Sequence, residues 1–222
     1  MKTQIERVLE EKFSFSSFRT GQLEAIESVL EGLDTLVMLP TGTGKSLCYQ
    51  LPAYLMQGAV LVVSPLLSLM QDQVEGLRLR GEQRVVALNS MTPKSERNRI
   101  FKQFNRYKFI YTSPEMLQNR QVIEHLKQIE ISLFVVDEAH CISHWGTDFR
   151  PDYLALKRIK SVLNSPTTMA LTATATKRVR EEIIQFLGLD LHSTNQIVQS
   201  VDREEIKYVV EICDGDKDQK LV

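Results

Sequence analysis

Two short segments carry the side-chain types that handle phosphate and metal chemistry. The first is PTGTGKS, residues 40–46, in which Gly42 and Gly44 let backbone N–H groups turn around an anion. Lys45 can reach terminal phosphates, and the Ser46 hydroxyl is a ligand for Mg²⁺. The pattern predicts a phosphate-binding loop, and the alternative is a Gly-rich turn that binds nothing.

Thr41 and Thr43 lie in the same loop and complete the predicted nucleotide-binding set. The general Walker pattern places a glycine five residues before Gly44, where this chain has Leu39. However, a strand-like run precedes the loop and a helix-like run follows it, which is the context that phosphate binding requires. We therefore retain the phosphate-loop interpretation.

The second segment is an acidic pair. Asp137 and Glu138 come directly after the apolar run SLFVV. At the end of a buried parallel strand, Asp137 is expected to hold Mg²⁺ while Glu138 polarises an attacking water molecule. The alternative is a pair of carboxylates that stabilises a helix N-terminus. In combination with loop 40–46, the pair favours hydrolysis of a nucleoside triphosphate.

The elements that must position these residues are apolar runs separated by amphipathic segments. Strands are predicted at 35–39, 59–64, 85–89, 109–113, 132–138 and 168–173, followed by a short strand-like pair at 196–201 and 207–212. Helices are predicted at 68–80, 94–104 and 176–187. This alternation predicts an α/β fold with a mostly parallel sheet and helices on both faces. Ligands of such sheets bind beyond the carboxyl ends of the strands, where both segments lie.

The bulk composition fits one large globular domain. The chain has 222 residues and a formal net charge of -1, so any nucleic-acid contact must come from a local basic patch. The three cysteines are odd in number and lack metal-ligand spacing, which argues against a disulfide framework. The charged N-terminus and the short apolar runs argue against secretion and a membrane span. We therefore expect an intracellular, cytoplasmic protein.

Further segments are typical of one helicase family. FSFSSFRTGQ (13–22) resembles the RecQ adenine-recognition motif, residues 64–73 resemble motif Ia, and residues 172–174 resemble motif III. Loop 40–46 begins Pro-Thr-Gly, as in helicases, and residues 137–140 read Asp-Glu-Ala-His. The chain thus resembles DEAH-type helicases of superfamily two, specifically the RecQ family. The resemblance covers most of the chain and implies the first RecA-like motor domain, which has a P-loop NTPase fold.

The segment 13–22 also makes physical sense as a base-binding site. The Gln22 amide can pair with an adenine edge through two hydrogen bonds. A guanidinium group and an aromatic ring can both stack on a base, and Arg19 and Phe15 supply them. The family resemblance places Phe15 at the stacking position. Phe13 and Phe18 are instead interpreted as core residues of an N-terminal helix pair.

The stretch 141–153 contains Trp145, the only tryptophan, among polar residues that follow neither a helix nor a strand period. In RecQ helicases this stretch is the aromatic-rich loop that senses single-stranded DNA. The resemblance therefore implies that Trp145, Phe149 and Arg150 bind DNA and couple it to hydrolysis, by stacking and phosphate pairing. His140 is expected to bridge this loop and the nucleotide site. The alternative is a surface loop whose tryptophan fills a local pocket.

Other charged and reactive residues are interpreted as structural. Arg178 and Glu182, with their charged neighbours, are predicted to form a solvated helix face with ion pairs four residues apart. Cys48 and Cys141 lie near the motifs and are interpreted as small buried apolar residues.

The resemblance implies an ATP-dependent DNA helicase with ATP and Mg²⁺ as cofactors. Lys45, Asp137, Glu138 and His140 would be catalytic, and the partners would be single-stranded and partly duplex DNA. It further implies 3′–5′ unwinding, roles in DNA repair and recombination, and association with a bacterial-type nucleoid.

The expected domain organisation follows from the same resemblance. Residues 1–200 would form the motor domain, and residues 201–222 a crossing segment toward a second RecA-like domain of the same longer chain. That domain supplies arginines to the γ-phosphate, so without it we expect slow hydrolysis. We expect a monomer. A different class of function is also open, an ATP- or DNA-binding module that regulates without hydrolysis and has no need of Glu138.

Overall fold

The computed structural model describes residues 2–146 and 148–199. The strands are β1 Thr35–Met38, β2 Ala59–Val63, β3 Val85–Leu88, β4 Phe109–Thr112, β5 Ile131–Val136, β6 Thr167–Thr172 and β7 Asn195–Val198. The α-helices are α1 Lys2–Phe13, α2 Gln22–Leu30, α3 Leu47–Ala53, α4 Leu67–Leu79, α5 Lys94–Phe101, α6 Arg120–Leu126, α7 Leu156–Val162 and α8 Lys177–Leu187. Short 3₁₀ turns connect several of them, including Ala139–Ile142 and Pro151–Ala155.

All seven strands form one sheet in the order β3-β4-β2-β5-β6-β1-β7. Every strand pairing in the described part of the chain is parallel, which confirms and sharpens the predicted mostly parallel sheet. Because all strands run the same way, the loops after β1, β5 and β6 emerge at one edge of the sheet.

The predicted strands and helices are confirmed with small changes at their ends. β5 ends at Val136, so Asp137 and Glu138 lie beyond the strand that was predicted to include them. The predicted helix 94–104 ends at Phe101. The first member of the strand-like pair is β7, while its second member at 207–212 and the crossing segment 201–222 lie outside the described residues.

Helices cover both faces of the sheet. Neighbouring strand residues point to opposite faces, so Val62 packs with α2, α3 and α4 while Val63 packs with α5, α6, α7 and α8. Both side chains are fully buried. Burial of each such side chain contributes about 1.5–3 kcal/mol relative to exposure, so these two layers position the loops at the sheet edge. None of the described helices has the length and apolar character needed to span a bilayer.

A third apolar cluster attaches α1 to the rest of the domain. Ile5, Leu9 and Phe13 recur every four residues on one face of α1 and pack against Ile26 and Leu51. Phe13 is therefore a core residue, as predicted. Phe18 packs, partly buried, against the same cluster, which confirms the interpretation of that residue as well.

A tight turn ends α1 and redirects the chain. Ser14 has a φ of 57°, in the left-handed region, and its N–H donates to the Glu10 carbonyl at 3.0 Å. This geometry closes many helices, and glycine is the residue that adopts it at lowest cost. After the turn, Phe15 is 49% exposed instead of joining the core.

Candidate functional site

The loop after β1 has the backbone conformation that phosphate binding needs. Gly42 and Gly44 have φ of 80° and 81°, values that side chains disfavour. The Thr43 N–H and hydroxyl both donate to the Pro40 carbonyl, at 3.3 and 2.6 Å, and so close the turn. Thr41 lies inside this turn, and α3 begins directly behind the loop.

Lys45 and Ser46 stand at the inner end of this loop. The Lys45 ammonium donates to the carbonyls of Leu39 and Pro40 at 3.1 and 3.4 Å, which holds the charge over the loop. The Ser46 carbonyl accepts from the Tyr49 N–H at 3.3 Å, which places Ser46 at the start of α3. Burial, followed by the neighbouring Tyr111, raises the pKa of the Tyr49 phenol.

The acidic pair lies just past β5, on the same edge of the sheet. Burial and, to a smaller extent, the Glu138 charge raise the pKa of the Asp137 carboxyl to about 6, against the opposing effects of a backbone hydrogen bond from Glu138 and the charge of Lys45. The Tyr153 hydroxyl donates to the Asp137 carbonyl at 3.0 Å and fixes the backbone. Glu138 has a φ of 48°, in the left-handed region, where non-glycine residues are strained and often functional.

His140 joins the acidic pair to the segment that resembles motif III. Its Nδ1 lies 3.3 Å from Glu138 Oε2 and 3.0 Å from the Thr172 hydroxyl. The Thr172 hydroxyl donates its own proton to the Thr174 carbonyl at 3.0 Å, so its oxygen accepts from His140. The protonated Nδ1 is thus shared between Glu138 and Thr172.

A cavity of about 550 Å³ adjoins the phosphate loop, and Phe15, Arg19 and Gln22 all line it. The Gln22 side chain is buried and contacts the loop directly. Its Nε2 donates to the Thr43 and Gly44 carbonyls at 2.8 and 3.1 Å, and its Oε1 accepts from the Arg19 N–H at 2.8 Å. The Arg19 guanidinium donates to the Gly42 carbonyl. The predicted base-binding residues are therefore brought together with the predicted phosphate-binding residues.

The aromatic loop lies between the acidic pair and α7. Trp145 is 64% exposed. His144 packs on Phe149 with ring centroids 3.9 Å apart. Arg150, predicted to pair with phosphate, donates to Asp148 at 2.9 Å and to the Pro65 carbonyl at 3.1 Å, which ties the loop to the motif Ia segment.

Contacts from α8 to this loop were missed by sequence reasoning. The Arg178 guanidinium lies 3.9 Å above the centre of the Trp145 ring. The Ser143 hydroxyl donates to Glu182 Oε2 at 2.5 Å, and the Glu182 side chain is only 19% exposed. The predicted ion pair between Arg178 and Glu182 is confirmed at 3.6 Å, and Arg178 is exposed as predicted, but the Glu182 side chain is mostly covered and does not belong to a solvated face.

The cysteines and the acidic residues form no further reactive site within residues 2–146 and 148–199. Cys48 and Cys141 are buried free thiols, as interpreted, and burial raises the pKa of each to about 12. Across those ranges, no cluster of three or more His, Cys, Asp or Glu side chains is placed to hold a metal ion.

A protein-family match assigns the chain to a known family. The sequence profile described as DEAD/DEAH box helicase matches residues 19–183, which span the loop, the acidic pair and the motif III segment. The chain belongs to the DEAD/DEAH box helicase family. The seven-stranded parallel sheet is the motor-domain fold expected for a DEAD/DEAH box helicase.

The similar curated proteins confirm the resemblance to the RecQ group. The "Probable ATP-dependent DNA helicase RecS" of Bacillus subtilis is 53% identical over 209 residues, which cover 94% of this chain and 42% of that protein. The "ATP-dependent DNA helicase RecQ" of Pasteurella multocida is 41% identical over 205 residues, 91% of this chain and 32% of that protein. This DEAD/DEAH box chain therefore spans less than half the length of either relative.

Solved helicase structures share the fold. The Hef helicase domain of Pyrococcus furiosus is 26% identical with a TM-score of 0.62, covering 81% of this chain and 38% of that one. The DUF1998 helicase MrfA bound to DNA and AMPPNP is 21% identical with a TM-score of 0.71, covering 88% of this chain and 29% of that one. At 21% identity, the similarity to MrfA shows a shared fold and nothing more.

Proposed function

We propose that this DEAD/DEAH box domain binds and hydrolyses ATP, and that the protein it belongs to uses this hydrolysis to unwind DNA, as an ATP-dependent DNA helicase of the RecQ kind. The observation that carries the proposal is the convergence of three groups at one edge of the sheet. These are the left-handed glycine loop with Lys45, the cavity lined by Arg19 and Gln22, and the acidic pair bridged by His140.

The chain's own groups suit the two ends of the nucleotide. Lys45 and the loop N–H groups would bind the β- and γ-phosphates, replacing the carbonyl contacts that Lys45 makes at 3.1 and 3.4 Å. Phe15 and Arg19 would stack on the adenine. The Gln22 amide uses both N–H donors on the Thr43 and Gly44 carbonyls. If this amide binds the adenine edge, it must give up its hydrogen bonds to the two loop carbonyls. Recognition of the base and recognition of the phosphates would therefore be coupled.

The donor set fits magnesium brought by the nucleotide. Ser46 and Asp137 offer the hard oxygen ligands that Mg²⁺ prefers, and a site with so few protein ligands is typical of metal bound mainly by phosphates and water. When bound, Mg²⁺ would neutralise charge on the phosphates. Glu138 would accept a proton from the attacking water, and the His140 Nδ1–H at 3.3 Å would hold that carboxylate in place.

The aromatic loop supplies the contact with single-stranded DNA. The exposed Trp145 ring can stack on a base, which is worth about 1–3 kcal/mol. Arg150 is occupied by Asp148 and Pro65, so we infer that it anchors the loop to the motif Ia segment and exchanges Asp148 for a phosphate when DNA binds. Movement of the aromatic loop would shift His140 and, through its contact with the carboxylate, the position of Glu138.

Nucleotide binding is tested first, with Lys45→Ala against Lys177→Ala as a matched control. Both variants remove one ammonium group, but Lys177 is on α8 and its side chain is 85% exposed. Calorimetry should show at least a tenfold loss of ATP affinity for Lys45→Ala, since a charge-assisted contact with phosphate contributes about 1.5–3 kcal/mol. Equal affinities for the two variants would contradict the phosphate-loop assignment.

Hydrolysis is tested with Glu138→Gln, with and without single-stranded DNA, in a chain that also carries a second motor domain. We expect ATP to bind and DNA-stimulated turnover to fall by about 10²-fold or more, because the general base is lost. If the wild-type protein binds ATP and never turns it over, the domain is instead a regulatory module.

A further inference from the structure

Four residues close a ring of contacts between the aromatic loop and α8. Glu182 accepts from the Ser143 hydroxyl at 2.5 Å, and the Ser143 oxygen accepts from the backbone N–H of Trp145 at 3.0 Å. The Trp145 ring lies under the Arg178 guanidinium at 3.9 Å, and Arg178 returns to Glu182 at 3.6 Å. Each member is therefore held by two others, which fixes the loop more firmly than any single contact.

The Arg178 guanidinium lies over one face of the indole. Arg178 is planar and lies close to the ring, a geometry that a lysine ammonium cannot reproduce. Trp145 nevertheless remains 64% exposed, so most of its surface stays open to solvent. An indole ring that is fixed by a contact on one face and exposed to solvent elsewhere is preorganised to stack on a base.

The ring is attached to the helix that follows the motif III segment. Thr176 caps the N-terminus of α8 by accepting from the Val179 N–H at 3.3 Å. Two residues earlier, Thr174 is bound to Thr172, which in turn contacts His140. Displacement of Trp145 would thus act on α8 and, through it, on Thr172 beside the acidic pair.

We propose that Arg178 and Glu182 are positioning residues that hold Trp145 ready for a base and connect the aromatic loop to α8. The part that concerns DNA rests on the proposed function, while the positioning itself does not. A plain surface ion pair does not account for the arrangement, because α8 offers a direct comparison. Lys177 and Glu181 have the same spacing at 4.0 Å and are more exposed.

Trp145 is the only tryptophan, so its fluorescence reports on this ring alone. The experiment compares Arg178→Ala, Arg178→Lys and the matched control Lys177→Ala in the 222-residue chain. Acrylamide quenching and time-resolved anisotropy are measured without DNA. The chain is then titrated with a 15-nucleotide oligo-dT, and thermal melting verifies folding. Arg178 and Lys177 have side chains 63% and 85% exposed, so both alanine variants are expected to fold.

We expect Arg178→Ala to increase quenching and speed local motion of Trp145, with Lys177→Ala unchanged. Oligo-dT affinity should fall about fivefold for Arg178→Ala, the size of a cation–π contact at an exposed site, and Arg178→Lys should recover only part of it. If Arg178→Ala matches Lys177→Ala in the DNA-free measurements, the positioning role is wrong. If the DNA-free difference is present but oligo-dT leaves wild-type fluorescence unchanged, positioning stands and the proposed DNA contact fails.

Discussion

Replacement of Asp137 by asparagine should stabilise the protein at neutral and alkaline pH. Burial raises the pKa of this carboxyl from an ordinary 3.8 to about 6. A raised acid pKa means that the stability contributed by the group is present below pH 3.8 and is lost as the pH rises through about 6. The full difference between the two pKa values corresponds to about 3 kcal/mol, and partial exposure of the residue reduces the expected gain in the free energy of unfolding to about 1.5–2 kcal/mol.

The magnitude follows from the surroundings of the carboxylate. Asparagine has nearly the same shape and still accepts from the Glu138 N–H, which donates to Asp137 Oδ1 at 3.0 Å. It carries no charge, so it avoids both the desolvation cost and the repulsion from Glu138 that raise the pKa. The attraction of Lys45 is lost, but this is the smallest of the four effects.

The assay is urea unfolding of Asp137→Asn and wild type in EDTA without nucleotide, at pH 8, 6 and 4. The gain in the free energy of unfolding of Asp137→Asn over wild type should be largest at pH 8 and close to zero at pH 4. Asp190→Asn is the control with the opposite sign, because hydrogen bonds from the Ser193 and His192 backbone N–H groups lower the pKa of Asp190. Asp190→Asn should therefore reduce stability at pH 8. A gain for Asp137→Asn that is absent at pH 8, or the same at pH 4, would refute the reasoning.

Four further substitutions test three other features. Ser14→Gly should raise the free energy of unfolding by about 0.5–1 kcal/mol, since it relieves the left-handed φ of 57°; a loss in urea unfolding would contradict this. Gly42→Ala and Gly44→Ala both strain the loop, but only the second places a Cβ 2.9 Å from Gln22 Nε2, so calorimetry should show the larger loss of ATP affinity for Gly44→Ala. Trp145→Ala, in a chain with a second motor domain, should reduce DNA-stimulated ATPase more than DNA binding; a lowered melting temperature with normal stimulation would show that Trp145 only packs the loop.

Much of the fold could be predicted from the sequence because its signals are local. The runs that became β2 and β5 are apolar on both faces, which indicates burial in a parallel sheet. The predicted end of α8 at residue 187 is confirmed, and Gly188 closes the helix there with a φ of 67°. The turn at 40–46 was recognisable from its glycines, and both have the positive φ that favours glycine, while phosphate binding by this loop stays a prediction.

The contacts that connect the site could not be predicted, because they join distant segments. Gln22 was expected to face a base, and nothing in segment 13–22 indicates that its amide binds the carbonyls of Thr43 and Gly44. Arg178 on Trp145 is a further case, since a charged helix residue usually faces solvent. Glu138 adopts a left-handed φ that is set by its surroundings and not by its residue type.

The position of β1 in the sheet has a consequence for how the protein is made. β1 leads into the predicted phosphate loop, yet its neighbours are β6 and β7, so the strand has no partner in the sheet until β6, at Thr167–Thr172, has left the ribosome. Asp34, just before β1, likewise finds its partners at Lys160 and Thr168. Pairings between such distant segments form slowly, since a long loop must close first. ATP affinity should therefore appear late in synthesis, and chains stalled before Thr167, where β6 begins, should lack it.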